Sequence, residues 1–306
     1  MIKTGNKIVI IGAGPAGLSL SASLVIAGID HIILEKTDNP GGQTGYINNS
    51  LDDLIVGNIS NGKKLVKKFK EFAESHDLPV SYNCDVKNID IKNQAVFFLN
   101  KGVNSEIKYN ILIVASGSRL KIDNSFSGLG FDDHIYYRIS GKIDDFKGKT
   151  VSVIGSGDNA AIAALKLSEI SDRVFLINRS DIWKARKDLI ARIREINNIE
   201  TIQNYFLKHL NGNRLLEEIT ISNKETDKII KCDKLVFKLG YLPNTEFLSG
   251  QVDLTENGYM ISNENFKSSV CSIYGIGDVL SSSFKRISVA IGHGTQLASI
   301  LIRDHF

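Results

Sequence analysis

The sequence predicts an α/β protein built from two similar units, each with a parallel β-sheet between layers of helices. The first observation is a short apolar strand at residues 7–11 that runs directly into a glycine-rich turn and an apolar helix. The second is that the same order of strand, glycines and helix returns at residues 150–170. Because parallel strands need a crossover connection, this repeated pattern is typical of three-layer α/β units. The length of 306 residues is sufficient for two such domains.

The first glycine turn has the spacing of a dinucleotide-binding loop. The strand at residues 7–11 is apolar and β-branched, as expected for a buried parallel strand, and leads into Gly12-x-Gly14-x-x-Gly17 and a helix. In such a loop the glycines permit a tight turn, the close approach of a pyrophosphate, and close packing of helix on strand. The next strand, His31–Leu34, ends at Glu35, about where an acid binds ribose hydroxyls. The sequence therefore predicts a dinucleotide bound at the N-terminus of the helix.

The region between the two glycine turns is predicted to contain a loop, a helix and several strands. Residues 36–46 form a glycine-rich turn in which the backbone can approach a flat ring system. Residues 63–75 place apolar side chains on one face and lysines on the other, which is typical of an amphipathic helix. Residues 79–99 alternate in short runs and predict a β-meander. A strand at residues 108–114 ends in Ala115-Ser116-Gly117, small residues that suit a cofactor crossing the sheet edge.

The second glycine turn repeats the first with one change. Strand Thr150–Ile154 leads into Gly155-x-Gly157-x-x-Ala160, a helix to about residue 170 and a strand at Arg173–Ile177. That strand ends in Asn178-Arg179-Ser180, where the first unit has Glu35. Basic residues in place of an acid favour a ribose 2′-phosphate. Two such loops predict two dinucleotides, one of which reduces the other.

The C-terminal part of the chain adds a polar turn and a helix. Residues 272–278 form a strand that ends in Gly277-Asp278, and this carboxylate can hydrogen-bond a polyol chain. A helix is expected at Ile287–Ile302, interrupted by Gly292-His293-Gly294. Its N-terminus can stabilise negative charge on a reduced ring.

Composition narrows the classes of partner. The net charge of +3 is small and basic residues are interleaved with acidic ones, so we expect no nucleic-acid partner. No apolar stretch is long enough to span a membrane and residues 1–7 leave no room for a signal peptide, so we expect no membrane partner and a cytoplasmic protein. The three cysteines, Cys84, Cys232 and Cys271, have no CxxC or zinc-like spacing, so we expect reduced structural thiols and no metal.

The order of these motifs resembles the thioredoxin-reductase-like flavoproteins over nearly the whole chain. The matching stretches are GAGPAGL (12–18), Glu35, PGGQ (40–43), ASG (115–117), GSGDNA (155–160), GYLPNT (240–245) and GIGDV (275–279). The resemblance implies a homodimer whose FAD domain is discontinuous, residues 1–120 and 244–306, with an inserted NAD(P)H-binding domain at residues 121–243. Both domains are then Rossmann-like.

The resemblance also implies which residues bind the cofactors. Glu35 would bind the adenosine ribose of FAD, the Val86 backbone the adenine, and Asp278 the ribityl chain. The full FAD set is Gly12, Gly14, Pro15, Ala16, Gly17, Glu35, Lys36, Gly42, Gln43, Tyr46, Val86, Ser116, Gly117, Gly277, Asp278, Arg286 and Ile287. The NADPH or NADH set is Gly155, Gly157, Asp158, Asn159, Arg179 and Lys184.

Departures from the family pattern bear on the reaction. The redox-active cysteines of thioredoxin reductases would fall at Arg138 and Gly141, so this chain has no disulfide relay there. The segment His134–Ile139 is instead similar to ferredoxin/flavodoxin–NADP reductases of the same fold. We therefore expect an FAD-dependent NAD(P)H oxidoreductase that passes electrons to an external acceptor, either a ferredoxin- or flavodoxin-like protein or a small molecule.

Two alternatives remain open at this point. The family's helix acid aligns with Ile162 and one family arginine with Ser180, which favours a degenerate nucleotide domain. The chain would then be a flavin-dependent oxidase or disulfide reductase acting on a small substrate, with His293 or Cys271 as the candidate catalytic group. The other alternative is a non-catalytic FAD-loaded protein that binds an acidic partner through Lys63–Lys70.

Overall fold

The computed structural model describes residues 8–47, 51, 54–55, 59–281 and 284–305. The chain divides into two compact units. Unit 1 comprises Met1–Arg119 and Leu242–Phe306, and unit 2 comprises Leu120–Tyr241. Lys7, the expected start of the first strand, lies outside the described residues.

The described residues form strands and helices in the following order. The strands before unit 2, including the one at its boundary, are β1 (Ile8–Ile11), β2 (His31–Leu34), β3 (Val80–Ser81), β4 (Cys84–Asp90), β5 (Ala95–Asn100), β6 (Val103–Lys108), β7 (Ile111–Val114) and β8 (Ser118–Leu120). Those of unit 2 are β9 (Ile135–Tyr136), β10 (Thr150–Ile154), β11 (Arg173–Asn178), β12 (Ile199–Gln203), β13 (Phe206–Asn211), β14 (Glu218–Ser222), β15 (Asp227–Lys231) and β16 (Lys234–Phe237). The chain then continues through β17 (Tyr241–Pro243) and β18 (Ile273–Gly275). The α-helices are α1 (Pro15–Ile26), α2 (Gly62–Ser75), α3 (Asp158–Ser168), α4 (Lys187–Arg194) and α5 (Ile287–His305).

Unit 1 is built on a five-stranded parallel sheet with the order β18-β7-β1-β2-β3. Every residue of β1, β2 and β7 is buried, as the continuous apolar runs require of strands covered on both faces. Helix α1 packs against α5. Strands β4, β5 and β6 form a separate antiparallel meander.

Unit 2 repeats the plan with the parallel order β12-β11-β10-β16-β9. Its core includes Val151, Val153 and Leu176, together with the alanine-rich buried face of α3. Strands β13, β14 and β15 form a small antiparallel sheet. The strand order reverses direction at β10, between β11 and β16, and ligands of open α/β sheets bind at the carboxyl edge beside such a switch point.

The structure corrects several expected boundaries. Helix α5 is continuous from Ile287 to His305, so the predicted interruption at residues 292–294 is wrong. The third strand of the meander, β6, was not expected, and the strand predicted at residues 108–114 begins at Ile111. Gln203 belongs to the parallel strand β12, and the antiparallel pair β13 and β14 begins after it at Phe206.

Candidate nucleotide sites

The first glycine loop joins β1 to α1 at the carboxyl edge of the unit 1 sheet. Gly12 has φ +106°, and a Cβ there would lie 2.5 Å from the Ala115 carbonyl oxygen. A Cβ on Gly17 would overlap the Gly12 carbonyl oxygen, whereas a Cβ on Gly14 would meet nothing within 4 Å. Gly12 and Gly17 are therefore needed for internal packing, and Gly14 leaves the backbone open on the side where a ligand approaches.

The N-terminus of α1 has no side-chain cap. Gly14 is the N-cap residue, it makes no side-chain cap hydrogen bond, Pro15 follows at the first helical position, and the first turn contains no acidic residue. Ala16 is buried behind the turn. The uncapped N–H groups and the helix dipole together favour an anion such as a phosphate.

Glu35 is held against this loop at the end of β2. Its Oε2 accepts a hydrogen bond from the Ala13 amide at 2.8 Å, and its Oε1 accepts from the amide and the hydroxyl of Thr37 at 2.9 and 2.8 Å. The side chain is buried. These bonds orient an anionic acceptor beside the loop without using every lone pair of the carboxylate.

The next residues border the same loop. Lys36 forms an ion pair with Asp85 at 3.2 Å, next to Val86, where the pairing of β4 with β5 is irregular. The Gly41 amide donates to the Ala13 carbonyl at 2.7 Å. A Cβ on Gly42 would lie 3.8 Å from the Gly14 Cα, so this turn touches the first loop. Gln43 and Tyr46 belong to the short 3₁₀ helix Gly42–Tyr46, and Tyr46 is exposed.

The turn after β18 completes the polar edge. Gly277 has φ +74°, which glycine adopts readily. Asp278 accepts a hydrogen bond from the Ser118 hydroxyl at 3.3 Å, and burial raises the pKa of its carboxyl. The Lys285 ammonium donates to the carbonyls of Asp278 and Leu280 at 2.8 and 2.7 Å, so it stabilises the turn that contains Asp278.

A second polar contact lies at the end of β7. The Ser116 hydroxyl donates to the Asn244 carbonyl at 2.7 Å, and the Asn244 amide donates back to the Ser116 carbonyl at 2.8 Å. Gly117 follows with φ +68°. Sequence reasoning missed Asn244 and Lys285 as supporting groups, although Asn244 stands in the GYLPNT stretch and Lys285 directly precedes Arg286.

His293 occupies a structural position within α5. Its Nδ1 accepts a hydrogen bond from the Gly277 amide at 3.1 Å, and its ring is tilted against Phe266 with centroids 5.0 Å apart. Burial lowers the pKa of the imidazole.

The two residues predicted at the start of α5 differ in exposure. Arg286 is exposed, and its carbonyl accepts a hydrogen bond from the Ala290 amide. Ile287 packs on the small apolar cluster that contains Leu65.

The second glycine loop lies at the carboxyl edge of the unit 2 sheet. A Cβ on Gly155 would lie 2.5 Å from the Lys238 carbonyl oxygen, and one on Gly157 would meet nothing within 4 Å. Gly157 caps α3 without a side-chain hydrogen bond. Asp158 and Asn159 form the first turn, and the Asp158 carboxylate accepts from the Arg186 amide at 2.8 Å. The same carboxylate lies 3.8 Å from the Nε of Arg186, so its charge is partly compensated.

A neutral amide replaces the glutamate at the end of β11. Asn178 is buried, its side-chain nitrogen donates to the Ile182 carbonyl at 2.8 Å, and its oxygen accepts from the Ser180 amide at 3.3 Å. Arg179 and Lys184 are exposed nearby in the chain, and the Lys184 amide donates to the Ser156 carbonyl at 2.9 Å. The end of β11 therefore carries the positive charges of Arg179 and Lys184, and it has Asn178 in place of an acid that would repel a 2′-phosphate.

The thiols are separate from one another. Cys84 and Cys232 are buried, Cys271 is exposed, and all three are free. Burial raises the pKa of Cys84, and that of Cys232 to about 12, which keeps both thiols protonated and unreactive at neutral pH.

Within the described residues, no cluster of His, Cys, Asp and Glu could hold a metal ion. In the same residues, no helix is long and apolar enough to cross a membrane.

Comparison with known proteins identifies the family. The model of the pyridine nucleotide-disulphide oxidoreductase family matches residues 6–294. The chain belongs to this family. Its members use FAD and NAD(P)H, and this chain is an oxidoreductase of the thioredoxin-reductase-like type.

Individual relatives match over nearly the full length. A 34.2 kDa protein in the rubredoxin operon of Clostridium pasteurianum is 25% identical and covers 95% of this chain and 94% of its own. Thioredoxin reductase of Borreliella burgdorferi is 27% identical and covers 94% of this chain and 89% of its own. The crystal structure of Lactococcus lactis thioredoxin reductase superimposes with a TM-score of 0.83 at 22% identity, covering 97% and 98% of the two chains, which supports the fold.

Proposed function

We propose that this oxidoreductase binds FAD in unit 1 and NADPH or NADH in unit 2, and transfers electrons to an external acceptor without a redox-active disulfide. Bound FAD would supply the redox chemistry, accepting a hydride from the reduced nicotinamide and passing its two electrons to the acceptor. No side chain needs to act as an acid or base in the hydride transfer.

The polar edge of unit 1 fits FAD. The open backbone at Gly14 and the uncapped end of α1 can receive the pyrophosphate, and the oriented Glu35 carboxylate can accept from ribose hydroxyls. Asp278 can hydrogen-bond the ribityl chain from the turn that Ser118 and Lys285 hold in place. By analogy with the family, we propose that Gly42, Gln43, Arg286 and Ile287 lie at the ring system.

The second loop supports a role as the site for the nicotinamide nucleotide. Gly157 leaves the backbone open, and Asn178 stands where an acid would exclude NADPH. Arg179 and Lys184 are the groups that we propose bind the 2′-phosphate. Lysine in the place of a family arginine keeps the charge but not the bidentate geometry, so we propose only a modest preference for NADPH over NADH.

The observation that carries the proposal is the absence of a cysteine pair. The sequence contains three cysteines, none with CxxC spacing, and the two buried thiols have raised pKa values. We propose an acceptor outside the chain, either a small redox protein of the ferredoxin or flavodoxin type or a small molecule. The relative in the rubredoxin operon supports a redox protein. By analogy with the family, we propose a homodimer.

The test is an anaerobic titration of the purified yellow holoprotein with NADPH and with NADH. We expect both nucleotides to bleach the flavin absorbance, NADPH at the lower concentration. Candidate acceptor proteins are then added, and reoxidation without oxygen identifies the acceptor. A flavin that stays oxidised with both nucleotides would contradict the proposal.

One observation favours a second candidate. Ile162 stands in α3 at the position of the family's helix acid, and Ser180 stands after β11 at the position of a family arginine. If neither nucleotide binds, we propose a flavin-dependent oxidase or disulfide reductase of a small substrate. Oxygen consumption or disulfide turnover that persists without NADPH or NADH would identify it, and loss of that turnover in Cys271→Ser or His293→Asn would point to the catalytic group.

A further inference from the structure

Lys238 lies against the second glycine loop. It directly follows β16, which pairs in parallel with β10. Its amide donates to the Ile154 carbonyl at 2.8 Å, and a Cβ on Gly155 would lie 3.1 Å from the Lys238 Cβ. The side chain therefore begins at the switch point between β10 and β16, where ligands of such sheets bind.

The surroundings of Lys238 are electropositive. Its ammonium group is partly buried and donates to the Tyr137 carbonyl at 2.9 Å, just beyond β9. Burial, together with the positive charge of the neighbouring Arg138, lowers the pKa of Lys238 to about 8. The Tyr137 hydroxyl is engaged with the backbone of Asp123, so it contributes no negative charge to the site. An anionic ligand would stabilise the charged form of a lysine in these surroundings.

The acid of the second loop has a cation of its own. Asp158 accepts a hydrogen bond from the Arg186 amide at 2.8 Å and lies 3.8 Å from the Nε of the same arginine. The Lys238 ammonium, in contrast, donates to a neutral carbonyl. Its charge is therefore not used to neutralise Asp158 and can act on a phosphate at the open backbone of Gly157.

We propose that Lys238, supported by Arg138, binds the pyrophosphate of the pyridine nucleotide. This inference rests on the proposed binding of NAD(P)H in unit 2. It assigns Lys238 as a nucleotide-positioning residue that acts equally on NADPH and NADH, since the pyrophosphate is common to both. Arg179 and Lys184, in contrast, would act on the 2′-phosphate alone.

The test measures binding of oxidised NAD⁺ and NADP⁺ to the FAD-loaded protein by calorimetry. A charge-assisted hydrogen bond to phosphate corresponds to about a 10- to 100-fold change in Kd, so Lys238→Met should weaken both nucleotides by that factor. Lys238→Arg should keep binding within about threefold, because the positive charge remains. Lys184→Met is the matched control and should weaken NADP⁺ only.

The pH profile of the unmutated protein provides an independent readout. The ammonium is charged below its pKa and neutral above it, so Kd for both nucleotides should rise as the pH increases through about 8. Lys238→Arg should flatten this profile. This arm stays informative even if Lys238→Met loses FAD or fails to fold.

Three results would overturn the inference. They are unchanged Kd values for both nucleotides in Lys238→Met, a pH-independent Kd in the unmutated protein, or an effect on NADP⁺ alone. Slower electron transfer to the acceptor with unchanged nucleotide binding would instead assign Lys238 to the acceptor. If NADPH and NADH fail to bleach the unmutated protein, the proposed function itself is wrong, which is a separate outcome.

Discussion

His293 has a structural contact that the sequence alone does not reveal. It lies near Asp278 and is flanked by two glycines, features that suggest chemistry. In the fold, its Nδ1 accepts the Gly277 amide, which requires a neutral ring with the proton on Nε2. The residue thereby holds the turn that presents Asp278, which makes it a positioning residue.

Replacing His293 should lower stability more than it lowers flavin reduction. His293→Ala leaves the Gly277 amide without this acceptor, at a cost of about 1–3 kcal/mol. His293→Asn can restore an acceptor and should recover part of the loss. The measurement is the thermal unfolding midpoint, with the rate of flavin reduction by NADPH recorded on the same samples. A slower reduction at unchanged stability would assign His293 a catalytic role.

The same residue sets a pH dependence. Burial lowers the pKa of His293 below its ordinary value of 6.5, so the unfolded chain binds a proton more readily than the folded one. The associated stability is present above pH 6.5 and is lost as the pH falls below it. His31, whose pKa burial also lowers, contributes in the same direction, so His293→Asn should remove only part of the acid-side loss.

At the scale of elements, the packing of α5 on α1 explains the two glycines of the last helix. A Cβ on Gly294 would overlap the Ala16 carbonyl oxygen and lie 2.8 Å from the Leu20 amide nitrogen. A Cβ on Gly292 would meet nothing within 4 Å. Ser19 of α1 links the pair further by donating to the Ile291 carbonyl at 2.9 Å. The glycine at 294 therefore allows close approach rather than a break.

These two glycines give a matched pair of variants. Gly292→Ala should stabilise the protein by about 0.5–1 kcal/mol, because alanine has the higher helix propensity and the site has room. Gly294→Ala should destabilise it by about 1–3 kcal/mol, because the helices must separate. The unfolding midpoint of each variant checks this, and shifts of the same sign would contradict the packing argument.

The sequence predicts elements best where glycine loops bracket them. The bounds predicted for β2 and β10 agree with the structure, since apolar strands here end abruptly at polar or glycine residues. The prediction from sequence misses β6, because Val103–Lys108 is mostly exposed and lacks an apolar run. It also misinterprets the glycines of α5, because the helix against which Gly294 packs, α1, is distant in the sequence. Lys238 escapes notice for the same reason, because the sequence does not reveal that β16 pairs with β10.

At the scale of the whole molecule, each of the two units carries one glycine loop, and the cysteines are remote from both loops in the chain. The family's name includes disulphide chemistry, but the three cysteines of this sequence include no pair with CxxC spacing. The electron capacity of the protein should then be that of the flavin alone.

A reductive titration tests this capacity. We expect complete bleaching at one equivalent of dithionite per FAD under anaerobic conditions, whereas a disulfide partner would consume a second equivalent. Iodoacetamide should label Cys271, which is exposed, and leave the two buried thiols unmodified. Flavin reduction by NADPH should be unchanged after labelling and in Cys271→Ser. An end point of two equivalents would show a second redox centre.

The strand order of unit 1 also has a consequence for biosynthesis. Strand β18, which pairs with β7, and helix α5, which packs on α1, both come from the last part of the chain. Because domains fold as units during synthesis, unit 2 can complete its own sheet on the ribosome while unit 1 still awaits these elements. The Asp278 turn follows unit 2 in the chain, so a nascent chain cannot bring Glu35 and Asp278 into one unit until unit 2 has been synthesised.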